Sequence, residues 1–278
     1  MDEDKYPSES GRRRFVKGVL GGAVLVGFGA TGSAVVNSAT SPQGAGGGIT
    51  QYFGNTLVDG PAPRGMPQVP IRIDDEGFIR GIWPTVTEIQ QGGRTVAVAE
   101  MELGGVTYSS EWFQYCGVQN AEGVVPDADQ DDFLRYTNNP PYEWQETNVT
   151  PGDRVNISDF DDYETWGNNI GEAGLGKPAV AEWRSQDVEQ PLPVQIIRSP
   201  VVERLAADDE WLAASTQDGV IAFLNKCTHF CCVPGYKTTE QSARFGASDL
   251  VYCPCHQSVY DPFTIEQQTF VAFPRPEE

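Results

Sequence analysis

Histidine is almost missing from this chain. Its 278 residues include two, His229 and His256, and both sit in one cysteine-rich region. A mononuclear iron held by two further histidines and a carboxylate cannot be built beside whatever that region holds, which excludes a self-contained oxygenase. Positive charge is also short. Nineteen Lys+Arg face 39 Asp+Glu, for a net charge of −20, which argues against nucleic acid or anionic lipid as a ligand. The acidic residues are spread along the chain, most tightly over 127–132 and 159–162. This reads as a halophile-like surface, where dense salt screens the repulsion; a patch steering a basic partner is the alternative. Long hydrophobic runs are absent apart from residues 18–36, and no cysteine directly follows that run to carry a lipid.

Cysteine is what the chain does have. Five of its six lie in two stretches: Cys227-Thr228-His229-Phe230-Cys231-Cys232 and Cys253-Pro254-Cys255-His256-Gln257-Ser258-Val259-Tyr260-Asp261. Two thiolates and two imidazoles bind either a tetrahedral zinc ion or a [2Fe–2S] cluster with one iron on two cysteines and the other on two histidines. Zinc modules usually set like ligands together. Here each stretch supplies one cysteine and one histidine, which suits two adjacent irons, each clasped from both loops.

The two stretches resemble the paired signature of the Rieske iron–sulfur proteins, C-T-H-x-G-C and C-P-C-H-x-S-x-aromatic-D. The resemblance implies that Cys227 and Cys253 ligate an inner iron and that His229 and His256 ligate an outer, redox-active one. It implies a disulfide between Cys232 and Cys255. Ser258 and Tyr260 would hydrogen-bond a bridging sulfide and a cysteine sulfur. Neutral imidazoles and hydroxyl donors place the potential in the upper part of a range of about −150 to +300 mV. His229 and His256 would then also carry proton-coupled electron transfer. Position 231 is Cys where the family has Gly, which would permit a left-handed backbone, and position 257 is Gln where Gly is common. Cys231 competes with Cys232 for Cys255. If it does not pair there, Cys116 and Cys231 are either two free thiols or a second disulfide. A bracing disulfide implies an oxidising compartment. Many relatives follow the second stretch with a Gly-Pro-rich cover. Phe273-Pro274-Arg275-Pro276 is the candidate here, and Gly60-Pro61-Ala62-Pro63 reads as an unrelated turn.

Residues 12–17, Arg-Arg-Arg-Phe-Val-Lys, fit the twin-arginine export pattern. The apolar run that follows reaches about 30 Å as a helix, enough for a bilayer core. Weak cleavage sites favour a retained anchor over a removed signal. Basic residues precede the run and none follows before Arg64, so residues 1–17 stay cytoplasmic and the remainder lies outside the cell membrane. The segment 37–50 reads as a flexible linker.

Beyond it, residues 51–210 show short β-like runs broken by Gly and Pro. The clearest strands are Ile71–Ile73, Arg94–Leu103 and Val194–Ile197, with Phe113–Cys116 as a strand edge and 119–151 as an acidic insertion. Trp211–Leu212 and Val220–Leu224 read as strands leading into a cluster-binding region over 211–278. The expected fold is all-β: a Rieske-type antiparallel β-sandwich base with a small cluster-binding subdomain and one N-terminal transmembrane helix. The expected function is that of an electron-transfer subunit in a cytochrome bc-type complex. It would take electrons from membrane quinol beside a cytochrome b-type subunit and pass them to a c-type cytochrome or blue-copper protein. A subunit of an exported nitrate reductase-type complex is one alternative, and a structural zinc-binding module is another.

Overall fold

The structure, a computed structural model, describes residues 47–91 and 93–275. The twin-arginine segment, the apolar run, most of the linker and Pro276 lie outside the described residues. Among the described residues no helix is long and apolar enough to cross a membrane.

Strand β1 (Gly48–Asp59) begins inside the segment expected as linker. Its Thr50, Tyr52 and Gly54 are buried while Ile49 and Gln51 face solvent, the period-two alternation of a strand with one covered face. A short hairpin of β2 (Ile71–Ile73) and β3 (Ile79–Gly81) follows. Next comes a three-stranded sheet of β4 (Val86–Gln91), β5 (Arg94–Leu103) and β6 (Val106–Ser109). Residues Ser110–Phe113 then form a 3₁₀ turn capped by the Ser109 side chain, so the expected strand edge at Phe113–Cys116 is a turn and coil instead. The expected insertion over 119–151 contains β7 (Arg135–Tyr136) and helix α1 (Glu143–Asn148). Beyond it come β8 (Lys177–Trp183), β9 (Leu192–Arg198), α2 (Pro200–Ala206), α3 (Glu210–Ser215) and β10 (Val220–Leu224). The chain ends with β11 (Gly235–Tyr236), β12 (Val251–Cys253) and β13 (Ser258–Ala272).

The strands expected at Ile71–Ile73, Arg94–Leu103, Val194–Ile197 and Val220–Leu224 are all present. Trp211–Leu212 is helical. Asp209 accepts a hydrogen bond from the Leu212 N–H at 2.8 Å, and this N-cap starts α3. Trp211 stacks on Phe53 of β1 at 4.8 Å and donates its indole N–H to Gln68 at 2.7 Å, so packing consolidates the turn.

The architecture is mostly antiparallel β-structure with a few short helices. Two four-stranded sheets dominate, ordered β1-β13-β12-β11 and β10-β9-β8-β7. Segment 65–69 stitches them together. The Asn55 and Gln68 N–H groups bond Met66 and Phe53 on the β1 side, and Val69 and Leu224 N–H groups bond Ala222 and Pro67 on the β10 side. Gly65 permits this approach, since a Cβ there would lie 1.5 Å from the Asn55 carbonyl oxygen. Trp112, Trp183, Phe223 and Ile196 fill the core, each such side chain contributing about 1.5–3 kcal/mol. The consequence for function is positional. The first sheet carries one histidine-bearing loop, between β12 and β13; the second feeds the other, directly after β10.

Candidate metal centre

All five residues of β10 are buried, and the chain leaves it for the first loop through Asn225 and Lys226. The loop closes on itself through the Cys227 N–H to the Cys232 carbonyl (2.8 Å) and the Cys231 N–H to the Cys227 carbonyl (3.1 Å). The second loop turns through the Gln257 N–H to the Cys253 carbonyl at 2.9 Å. Pairing of Gly235 with Tyr252 and Tyr236 with Val251 sets the two loops side by side.

The four expected ligand residues form two pairs. Cys227 and Cys253 are buried and unpaired thiols. The hydrogen bond from Cys253 holds the Cys227 thiol down to about 5, against the opposing cost of burial. Tyr260 and the N–H groups of His229 and Phe230 act in the same direction, and the shared proton pushes Cys253 up. The rings of His229 and His256 meet edge to face with centroids 4.7 Å apart; His229 is half-buried and His256 exposed. Phe230, 65% exposed, lies 4.1 Å from the first ring and 5.2 Å from the second. His229 Nδ1 is buried with no hydrogen-bond partner.

Tyr260 places its hydroxyl 3.0 Å from Cys227 Sγ, and burial pushes that hydroxyl up, so it remains a protonated donor to a thiolate. Ser258 is fully buried, and its Oγ accepts the Ala62 N–H at 3.2 Å. That bond overturns the reading of Gly60-Pro61-Ala62-Pro63 as an unrelated turn. Emerging from β1, this segment lies against the second loop, and a Cβ on Gly60 (φ +99°) would come within 2.6 Å of Ser258 Cα. Thr228 in the first loop donates to the Arg64 carbonyl at 2.5 Å, so the segment touches both loops. The stretch expected to serve as the cover goes elsewhere. The Phe273 N–H bonds Gln114, Pro274 packs on Gly47 and Arg275 reaches Ser110.

Two disulfides brace the loops. Cys232 pairs with Cys255 across a Cα separation of 6.6 Å, and Cys116 pairs with Cys231 across 5.2 Å, so neither of the last two is a free thiol. Cys231 adopts φ +63° and Gln257 φ +64°. The left-handed turns that glycine would make easily are therefore kept without it, at a cost of about 1–3 kcal/mol each. The Tyr115 hydroxyl donates to the Lys226 carbonyl at 2.9 Å, a second tie from the same segment as Cys116. No local signal marks Tyr115, and the Gly-Pro composition of Gly60–Pro63 does not by itself show what it meets; both act across long sequence separations.

The donor set can hold a metal. The sulfurs of Cys232, Cys253 and Cys255 lie within 4.8 Å of one another, but the disulfide leaves only Cys253 of these three as a thiolate donor. With that disulfide closed, the free thiols among the described residues are Cys227 and Cys253. Comparisons of the chain with protein-family models, curated proteins and solved structures find no match.

Proposed function

We propose that the chain is a Rieske-type electron-transfer subunit, holding one [2Fe–2S] cluster between the two loops of an antiparallel β-sheet head. The observation that carries this reading is the pairing of donors, two buried free thiols and two histidine rings in contact, on loops joined by the Cys232–Cys255 disulfide. Soft anionic sulfur in one pair and neutral imidazole in the other suit two irons of unequal environment. The orphaned, buried Nδ1 of His229 supports it, because an unpaired buried acceptor is costly unless something ligates it. When bound, such a cluster supplies one-electron transfer at the histidine-ligated iron.

The chain's own residues then divide the work. Cys227 and Cys253 hold negative charge on sulfur in a buried setting, and Tyr260 stabilises it. With Nδ1 committed inward, Nε2 of His229 is the nitrogen left to exchange a proton, and exposed His256 offers the same chemistry. Phe230 provides an apolar contact beside both rings. An exposed imidazole edge with an aromatic neighbour suits quinol, whose hydroxyl gives up a proton as its electron leaves. In this reading the chain sits on the outer side of the cell membrane, tethered by residues 18–36 after twin-arginine export. It works beside a cytochrome b-type subunit and passes electrons to a c-type cytochrome or blue-copper protein.

The test is spectroscopic. Protein purified from membranes is expected to show visible absorption and, once reduced, the EPR signal of a mixed-ligand [2Fe–2S] centre that changes on adding a quinol-site inhibitor. A colourless protein containing stoichiometric zinc would replace this reading with a structural zinc module. Co-purifying b-type haem subunits would support a bc-type complex, and a molybdenum subunit a nitrate reductase-type complex.

A further inference from the structure

The deeply buried cations of this acidic chain have carboxylate partners: Lys177 with Asp162, Arg184 with Asp132 and Lys237 with Asp249. Arg64 does not. Among the described residues no carboxylate pairs with it, and three aromatic rings take that place. Its guanidinium carbon lies 3.8 Å from the Phe270 ring centroid, 4.5 Å from Tyr115 and 4.9 Å from Tyr52. Those rings belong to β13, to the segment that ties down the first loop, and to β1. The cage therefore gathers three separate segments around one positive charge.

The backbone of Arg64 is tied to the first loop of the candidate metal centre, and one wall of its cage is tied there too. The Arg64 carbonyl accepts the Thr228 hydroxyl, and Thr228 stands between Cys227 and His229. Tyr115, one wall of the cage, donates to the carbonyl of Lys226, next to Cys227. Aromatic faces attract a cation without cancelling its charge as a carboxylate would, and they cover part of it from water. A fixed positive charge near a redox group favours its reduced, more negative state.

We propose that Arg64 is a positioning residue that sets the reduction potential: its carbonyl fixes the first loop, and its caged, uncompensated charge raises the midpoint of the centre that the loops hold. This rests on the [2Fe–2S] reading above. The test is EPR-monitored redox titration of the full-length, cluster-bearing protein and its Arg64→Gln, Arg64→Lys and Phe270→Leu variants. Arg64→Gln is expected to bind the electron roughly ten-fold more weakly, about 59 mV lower for a one-electron couple. Arg64→Lys is expected to keep most of the wild-type midpoint, and the g values should stay unchanged in both. Phe270→Leu keeps the charge but opens one wall to water, so its midpoint should fall by less. An unchanged midpoint in Arg64→Gln overturns the proposal, and so does an equal fall in Gln and Lys variants, which would assign the effect to geometry. If Arg64→Gln does not retain the cluster, Phe270→Leu decides, and an unshifted midpoint there overturns the proposal. A wild-type protein with no reducible cluster would sink the underlying reading first, before any variant is compared.

Discussion

Tyr260 sits 3.0 Å from Cys227 Sγ, and a hydrogen bond to a charged acceptor is worth about 1.5–3 kcal/mol. Tyr260→Phe deletes that donor while keeping the ring. In the cluster-bearing protein it is expected to lower the midpoint by the equivalent of a ten-fold or larger change in electron affinity, read by redox titration with EPR. Cys231 offers a second test at this scale. Its left-handed backbone is held by the bond to Cys116, which closes a loop with a sequence separation of 115. Cys116→Ser with Cys231→Ser is expected to cost about 2–5 kcal/mol in urea denaturation of the oxidised protein. Cys116→Ser with Cys231→Gly should cost about 1 kcal/mol less, because glycine takes φ +63° without a Cβ clash. An equal cost would show that the turn carries no strain. The departure from glycine at position 231 was legible as a question in the sequence. Its answer was not, since nothing local points from Cys231 to Cys116.

Among the elements, β13 shows how a proline and an aspartate shape the approach to the second loop. Pairing with β1 slips between Asn55–Ile265 and Thr56–Asp261, and Pro262, which lacks an N–H, falls in the bulge. Asp261 holds the bend by accepting the Phe263 N–H at 2.9 Å and the Thr264 hydroxyl at 2.7 Å. The aspartate that ends the motif thus has a backbone task. Opposite this bend, β1 delivers Gly60 onto Ser258. Gly60→Ala is expected to push the turn away and destabilise the fold by about 1–3 kcal/mol. It should also quicken loss of bound metal, followed by bleaching of the visible absorption under a chelator; wild-type loss kinetics would remove the turn from the metal-holding structure. The helix at Trp211–Leu212 was legible after all, in Asp209 ahead of an Ala-containing run. The apolar pair alone suggested a strand. Asp209→Ala is expected to cost about 1 kcal/mol of unfolding free energy, as loss of an N-cap does.

For the molecule as a whole, charge sets the conditions of stability. At a net charge of −20, self-repulsion opposes compaction, and added salt shortens its reach from about 10 Å at 0.1 M to about 3 Å at 1 M. The melting temperature by calorimetry is expected to rise across that range, and a fall would contradict a salt-adapted surface. Burial pushes the Glu111 and Asp132 carboxyls up. Each binds its proton more tightly folded than unfolded, so the stability it contributes is full at low pH and is lost as pH rises through the folded value. The first effect favours high salt over low, and the second is a local contribution of these two carboxyls that diminishes as pH rises. The two Cys/His stretches, the disulfide candidates, the charge balance and the main strands could be read from the chain alone, because each depends on residues close together or on sums over all residues. The Cys116–Cys231 bond, the turn over Ser258 and the aromatic cage around Arg64 were decided by the tertiary structure. They join β1, the turn before Cys116 and the last strand, and only long-range strand pairing brings such distant segments within reach of one another.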